Sequence, residues 1–233
     1  MLELIAFDAD DTLWQTEDLY ARTQDRFEQL MAPFGQAQAV AQKLRQTESR
    51  NLELYGYGIK AFMLSMLEAA LELSDGGIAG RDLQTLINWG REMLTADVRL
   101  LQDVESTLAV LSRSHPLMVL TKGDLRDQES KLSRSGLGGY FTHTEIVSHK
   151  SRDTYAALLA KYHVAASRFL MVGNSLRSDV LPVVELGGFA VHIPYYLTWE
   201  HEQVASNATD TRSYFELENI AGLPALVERL PRL

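Results

Sequence analysis

Apolar residues fall in short blocks at the start of the chain and again in its second half, with a long amphipathic stretch between them. Leu2 to Phe7, interrupted only by Glu3, reads as a buried strand. The pattern then turns helical. Residues 17–34 carry Leu19, Tyr20, Phe27, Leu30, Met31 and Phe34 as a partly regular stripe, and 37–49 continue as a more polar helix with Val40 and Leu44 four apart. The clearest periodicity is at 59–73, where Ile59, Phe62, Met63, Met66, Leu67, Ala70 and Leu71 follow i, i+3, i+4, i+7 spacing. Asp75-Gly76-Gly77 ends that helix, and another is predicted over 81–96.

Short apolar runs then return. Pro116–Thr121, Phe141–Val147, Phe169–Val172 and Phe189–Ile193 read as strands. A polar helix is predicted after the turn Lys122-Gly123-Asp124, others over 151–163 and 215–229. Strands alternating with helices predict an α/β fold, a Rossmann-like parallel sheet with helices on both faces. The all-helical block falls at 16–97, inserted after the first strand, so the α/β core is expected from 1–15 and 98–233.

Composition narrows the chemistry. At 233 residues the chain fits one large domain or a core with an insertion. A formal charge of −9 argues against a surface that holds a nucleic acid polymer, though not against a local basic pocket for a small anion. With no cysteine there is no disulfide or thiolate site, which leaves oxygen and imidazole as metal ligands. No basic-then-apolar leader and no run of spanning length is visible, so the expectation is a cytoplasmic protein without a membrane partner.

The first strand runs into Asp8-Ala9-Asp10-Asp11-Thr12-Leu13. Asp8 and Asp10, two apart, would project together where the strand ends, and carboxylates that close stay ionised only beside a cation or with a shared proton. Paired acids there suggest a metal-assisted nucleophile with an acid–base partner; an acidic turn or a helix cap would use the same residue types. Further polar residues fall at other strand ends: Thr121, Lys150 just beyond a strand, and Asn174 with Asp179. Singly, Thr121 suits the end of a strand and Lys150 suits a surface, so only their joint placement points to chemistry.

This order of motifs resembles the haloacid dehalogenase superfamily over nearly the whole chain. Its Asp-x-Asp-x-Thr motif is matched by Asp8, Asp10 and Thr12, its strand-end Thr or Ser by Thr121, its lysine by Lys150, and its glycine–acid turn in part by Gly173, Asn174 and Asp179. The resemblance implies that Asp8 attacks phosphorus to form an aspartyl-phosphate. Asp10 protonates the leaving oxygen and then activates water. Mg2+ is held by Asp8, the Asp10 carbonyl, Asn174 and Asp179. Thr121, with the N–H groups near Lys122 and Gly123, holds a phosphate oxygen, and Lys150 neutralises charge on Asp8. Asn174 stands where the family usually has a carboxylate; its amide oxygen still suits a hard cation, with Asp179 binding through water or moving inward.

Dehalogenases of the superfamily lack the second acid, because halide leaves without a proton. Asp10 therefore favours a phosphatase of small phosphorylated metabolites, with a sugar-phosphate mutase or a non-catalytic phosphate- or metal-binding relative as alternatives. The helical block resembles the family's small cap. Within it, 50–58 is read either as a recognition loop offering Arg50, Tyr55 and Tyr57 to substrate, with Lys60 nearby, or as a helix connection packed by its tyrosines. Neither the natural substrate nor the oligomeric state is legible.

Overall fold

The computed structural model describes residues 2–197 and 214–230. Its sheet has six strands: β1 (Leu4–Phe7), β2 (Leu117–Lys122), β3 (His143–Val147), β4 (Phe169–Gly173), β5 (Phe189–His192) and β6 (Phe215–Glu216). They lie in the order β3-β2-β1-β4-β5-β6, every pair parallel. A parallel sheet covered on both faces needs apolar residues at successive positions, which is why β1, β2, β4 and β5 read as apolar runs.

Alternate residues divide between two cores. Ile5, Phe7, Leu117, Val119, Leu170, Val172 and Val191 pack on one face with α5 (Val104–Leu111) and α9 (Leu223–Val227). Leu4, Ala6, Met118, Leu120, Phe169, Met171 and Ala190 pack on the other with α7 (Arg152–Tyr162) and α8 (Leu181–Val184). The chain leaves β1 towards β2 and β3, then crosses back to β4 on the other side of β1. Such a reversal opens a crevice at the carboxyl ends of the central strands.

The residues group into two compact units. The α/β unit comprises the chain up to Glu17, Val98–Lys122 and the described residues from Lys131 onward. The helical unit comprises Asp18–Asp97 together with Gly123–Ser130. Its helices are α1 (Glu17–Met31), α2 (Ala37–Tyr55), α3 (Ile59–Leu73) and α4 (Gly80–Thr95). Phe27, Met31, Val40, Leu44, Phe62, Met66, Leu86 and Trp89 form its separate core. The segment 123–130, the first part of α6 (Leu125–Ser135), joins this unit although it follows β2 in sequence. There the Lys60 ammonium donates to Asp124 at 2.9 Å. Such a grouping arises from contacts in space, which periodicity does not carry.

Three boundaries differ from expectation. The first helix stops at Met31 and a 3-10 turn carrying Pro33 follows, because proline has no N–H to continue the ladder. α2 runs on to Tyr55 and ends at Gly56, whose φ of 68° suits glycine. The helix expected over 215–229 is instead β6 and a 3-10 turn at Ile220–Gly222, and helix only from Leu223, where Pro224 occupies the first turn. Phe215 and Glu216 are drawn into the sheet by pairing with Val191 and His192. Among the described residues no helix is long and apolar enough to cross a membrane.

Candidate active site

β1 ends at Phe7, but the Asp8 N–H still donates to the Val172 carbonyl of β4 at 2.9 Å, which holds Asp8 on the rim of the sheet. The chain then wraps around one acceptor: the Ala9 carbonyl receives the N–H groups of Thr12, Leu13 and Trp14 at 3.2, 2.8 and 3.3 Å. Asp11 takes a left-handed φ of 59°, which aspartate tolerates better than most residues. Its carboxylate accepts the Thr16 N–H at 2.8 Å and the Glu17 N–H at 3.1 Å, capping the start of α1. Burial pushes the Asp11 carboxyl up to about 7, against these two backbone donors, which favour the ionised form. The three acids of this loop thus go to three different destinations.

Asp8 goes inward. Its Oδ1 accepts from the Lys150 ammonium, which also donates to Asp179 Oδ1 at 2.7 Å. All three side chains are buried. Burial pushes the Asp8 carboxyl up to about 7, with the Lys150 ammonium opposing the rise and the Asp179 charge adding to it. Loss of water would lower the lysine, but Asp179 and Asp8 together hold it above the usual lysine range. One ammonium therefore stands between two carboxylates, in a setting where unbalanced charge is expensive.

Asp179 is seated by its neighbours. Its second oxygen accepts the Ser175 N–H at 3.0 Å, and it lies on a π-helical turn, Leu176–Val180. A Cβ on Gly173 would sit 2.2 Å from Asp179 Oδ2, so this approach requires glycine at the end of β4. Ser175 Oγ caps the turn by accepting the Ser178 N–H, and the Tyr155 hydroxyl donates to the Ser178 carbonyl at 3.0 Å.

Asp10 goes the other way. Its Oδ1 accepts from Trp14 Nε1 at 2.8 Å, Thr16 Oγ1 at 2.8 Å and Lys131 Nζ at 2.7 Å, and its Oδ2 from the same Lys131 at 3.0 Å. Trp14 is buried in the α/β core, so its indole is a fixed donor.

Thr12 links the two halves of the site. Its hydroxyl lies 3.3 Å from both Asp8 Oδ2 and Asn174 Oδ1, so two hard oxygen donors flank one small group. Behind Asn174, His192 Nε2 lies 3.1 Å from its main-chain carbonyl and His192 Nδ1 lies 3.3 Å from Glu216. Thr121 is buried at the end of β2, its hydroxyl 3.5 Å from the Lys122 carbonyl. Lys122 donates to Ser178 Oγ at 3.1 Å. Gly123, with φ 134°, turns the chain immediately afterwards.

These residues suit a divalent cation. Two buried carboxylates share one ammonium, and Asp8 Oδ2 and Asn174 Oδ1, both hard donors, converge on Thr12. Asp8, Asn174 and the Asp10 carbonyl would hold it. Asp179, expected as a metal ligand, is instead engaged through one oxygen by Lys150 and through the other by the Ser175 N–H.

The structure brings Asp8, Asp10, Thr121, Lys122, Lys150, Asn174 and Asp179 into the α/β unit, while Gly123, Arg50, Tyr55 and Tyr57 belong to the helical unit. Of the two readings of 50–58, the structure has a helix and its connection rather than a loop: Arg50 and Tyr55 lie on α2, and only 56–58 connect it to α3. Arg50 pairs with Glu72 at 2.8 Å and Glu68 at 3.2 Å, and the Tyr55 hydroxyl donates to Glu68 at 2.8 Å, so both brace α2 against α3. Sequence reasoning missed Lys131, Thr16, Ser175, Ser178 and His192. The only trace of Lys131 in the sequence was a lysine on a polar helix.

A family model described as haloacid dehalogenase-like hydrolase matches residues 2–187. Among solved structures, a haloacid dehalogenase-like family hydrolase from Xanthomonas campestris is 37% identical, with a TM-score of 0.87 over 98% of this chain and 91% of that one. A 2-haloacid dehalogenase from Pseudomonas syringae pv. tomato is 22% identical, with a TM-score of 0.65 over 98% and 99%. A Bacillus subtilis structure reported as a HAD-hydrolase bound to magnesium is 15% identical, with a TM-score of 0.68 over 97% and 98%. No curated protein matches the sequence.

Proposed function

The chain belongs to the haloacid dehalogenase-like hydrolases, and from that premise we propose that it hydrolyses small phosphomonoesters through an aspartyl-phosphate on Asp8. The observation that carries this reading is the placement of Asp10. A halide departs without a proton, whereas an alkoxide needs one, and Asp10 is a second carboxylate, two residues along the chain from the nucleophile and seated on Trp14, Thr16 and Lys131.

In this mechanism an Asp8 oxygen forms a bond to phosphorus as the phosphorus–ester oxygen bond breaks, and Asp10 gives its proton to the departing oxygen. Water then attacks the phosphorus, Asp10 takes a proton from it, and the bond to Asp8 breaks to release inorganic phosphate. Lys150 neutralises the charge that moves onto Asp8 and the phosphoryl oxygens. Thr121, Lys122 and the backbone after them offer donors for those oxygens. Magnesium, when bound by Asp8, Asn174 and the Asp10 carbonyl, supplies charge neutralisation on the phosphoryl group. The substrate is a small phosphorylated metabolite.

The test is phosphate release from 4-nitrophenyl phosphate with magnesium, alongside halide release from 2-chloropropionate. Phosphate release, lost by about 10^4-fold or more in Asp8→Asn, supports the proposal. Halide release without phosphate release overturns it in favour of dehalogenation, and full activity in Asp8→Asn removes Asp8 as the nucleophile.

A further inference from the structure

Asp10 is the group whose proton must move twice, and its side chain is 27% exposed, on a loop held by the Ala9 carbonyl, by left-handed Asp11 and by the Asp11 N–H donating to the Trp14 carbonyl. A carboxylate there has a free rotation about its Cβ–Cγ bond unless something fixes its plane. Trp14 and Thr16 both bond the same oxygen, Oδ1. Lys131 bonds both oxygens, at 2.7 and 3.0 Å.

Resting on the phosphatase reading, we propose that Lys131 is the positioning residue for Asp10: its ammonium fixes the plane of the carboxylate, so that one oxygen faces the proton acceptor at a constant angle. Three observations converge on this role. The lysine side chain is only 11% exposed, far less than a solvated lysine. It is carried on the part of α6 that belongs to the α/β unit, the same unit as Asp10. A partly buried ion pair of this kind contributes little net stability, so stability alone is a poor account of it. Misplacing a reacting group by about 1 Å is enough to slow chemistry roughly 100-fold, which sets the scale of what such a clamp can do.

The indole of Trp14 makes the proposal testable whatever the substrate. Its N–H donates to Asp10 Oδ1, so its 15N–1H resonance, assigned by a Trp14→Phe control, reports the carboxylate directly. Lys131→Met is expected to shift that resonance, while Lys131→Arg, which retains charge and donors, restores it towards the native position. In turnover, Lys131→Met is expected to slow hydrolysis of an alkyl phosphate by about 10- to 100-fold. The release of 4-nitrophenolate, a leaving group that needs no proton, should fall much less and show a burst before slow turnover. In an Asp10→Asn background Lys131→Met should have no further effect. An unmoved indole resonance in Lys131→Met overturns the proposal, as does a loss of equal size with and without Asp10. If Lys131→Met does not fold, Lys131→Gln is read by the same resonance. A wild-type protein that hydrolyses no phosphomonoester refutes the phosphatase reading and leaves the resonance test to decide the clamp.

Discussion

The two units use the same ion pairs to different ends. In the helical unit Lys43 and Arg50 face Glu68 and Glu72 on the exposed sides of α2 and α3, where water screens every charge. In the α/β unit Lys150 faces Asp8 and Asp179 with almost no exposure on any partner. At the surface such a pair braces two helices, and its removal changes little. In the interior the same chemistry sets protonation states, and a missing partner leaves a charge with nowhere to go. Burial, more than the identity of the residues, separates a structural pair from a chemical one.

The sharpest way to break this comparison is Lys150→Met. It leaves two carboxylates facing each other in the interior and should destabilise the α/β unit by about 3–5 kcal/mol near neutral pH, read by urea denaturation. The loss should shrink at pH 5, where Asp8, raised to about 7, carries its proton. A loss below 1 kcal/mol at pH 7 would mean that the pair is no more demanding than those on α2.

Next in size comes Gly173→Ala. The new methyl would collide with Asp179, and overpacking of this kind costs about 1–3 kcal/mol. Because Asp179 seats Lys150, activity should fall further than stability, and equal falls would sever that link.

The metal-free protein offers a pH test. Asp8 and Asp11 are both raised from 3.8 to about 7, so between these values the folded state keeps protons that the unfolded chain has released. Their contribution to stability is therefore greatest at low pH and declines as pH rises from about 4 to 7. Denaturation midpoints at pH 5, 6 and 7 without divalent cations should show the decline, and Asp8→Asn should flatten it. Glu68 and Glu72 run the opposite way. Hydrogen bonds hold both below the usual carboxylate range, those from Asn51 and Tyr55 on Glu68 and from Lys43 and Arg50 on Glu72. What they contribute is present above pH 4.5 and lost on further acidification. The smallest effect belongs to Arg50→Met, a barely measurable fall in the urea midpoint that is weaker still in high salt. A larger, salt-independent loss would show that the brace is less screened than its exposure implies.

What the sequence disclosed follows the same division. Strands β1, β2, β4 and β5 were legible because a doubly covered parallel sheet demands apolar runs, and α3 because its stripe is nearly complete. Asp8, Lys150 and Asn174 were legible through their order along the chain. β6 was not, because two residues carry no period and their strand character comes wholly from pairing with β5. For 50–58 the sequence left a loop and a helix connection both open, because Gly56 and Gly58 suit either, and the pairing of Arg50 and Tyr55 with Glu68 and Glu72 comes from contacts across helices. Lys131 was invisible because it lies 121 residues from Asp10 on a helix with no distinctive pattern.

That two-residue strand at the margin has a bearing on how the protein tolerates trimming. Glu216 lies beside His192, and the far nitrogen of the same imidazole meets the carbonyl of Asn174. The outermost thread of the sheet is therefore only one ring away from a proposed cation donor. Shortening the chain from its carboxyl end removes the buried α9 residues Leu223, Leu226 and Val227 first, and reaches the catalytic rim through Glu216 only after that face of the core has been opened.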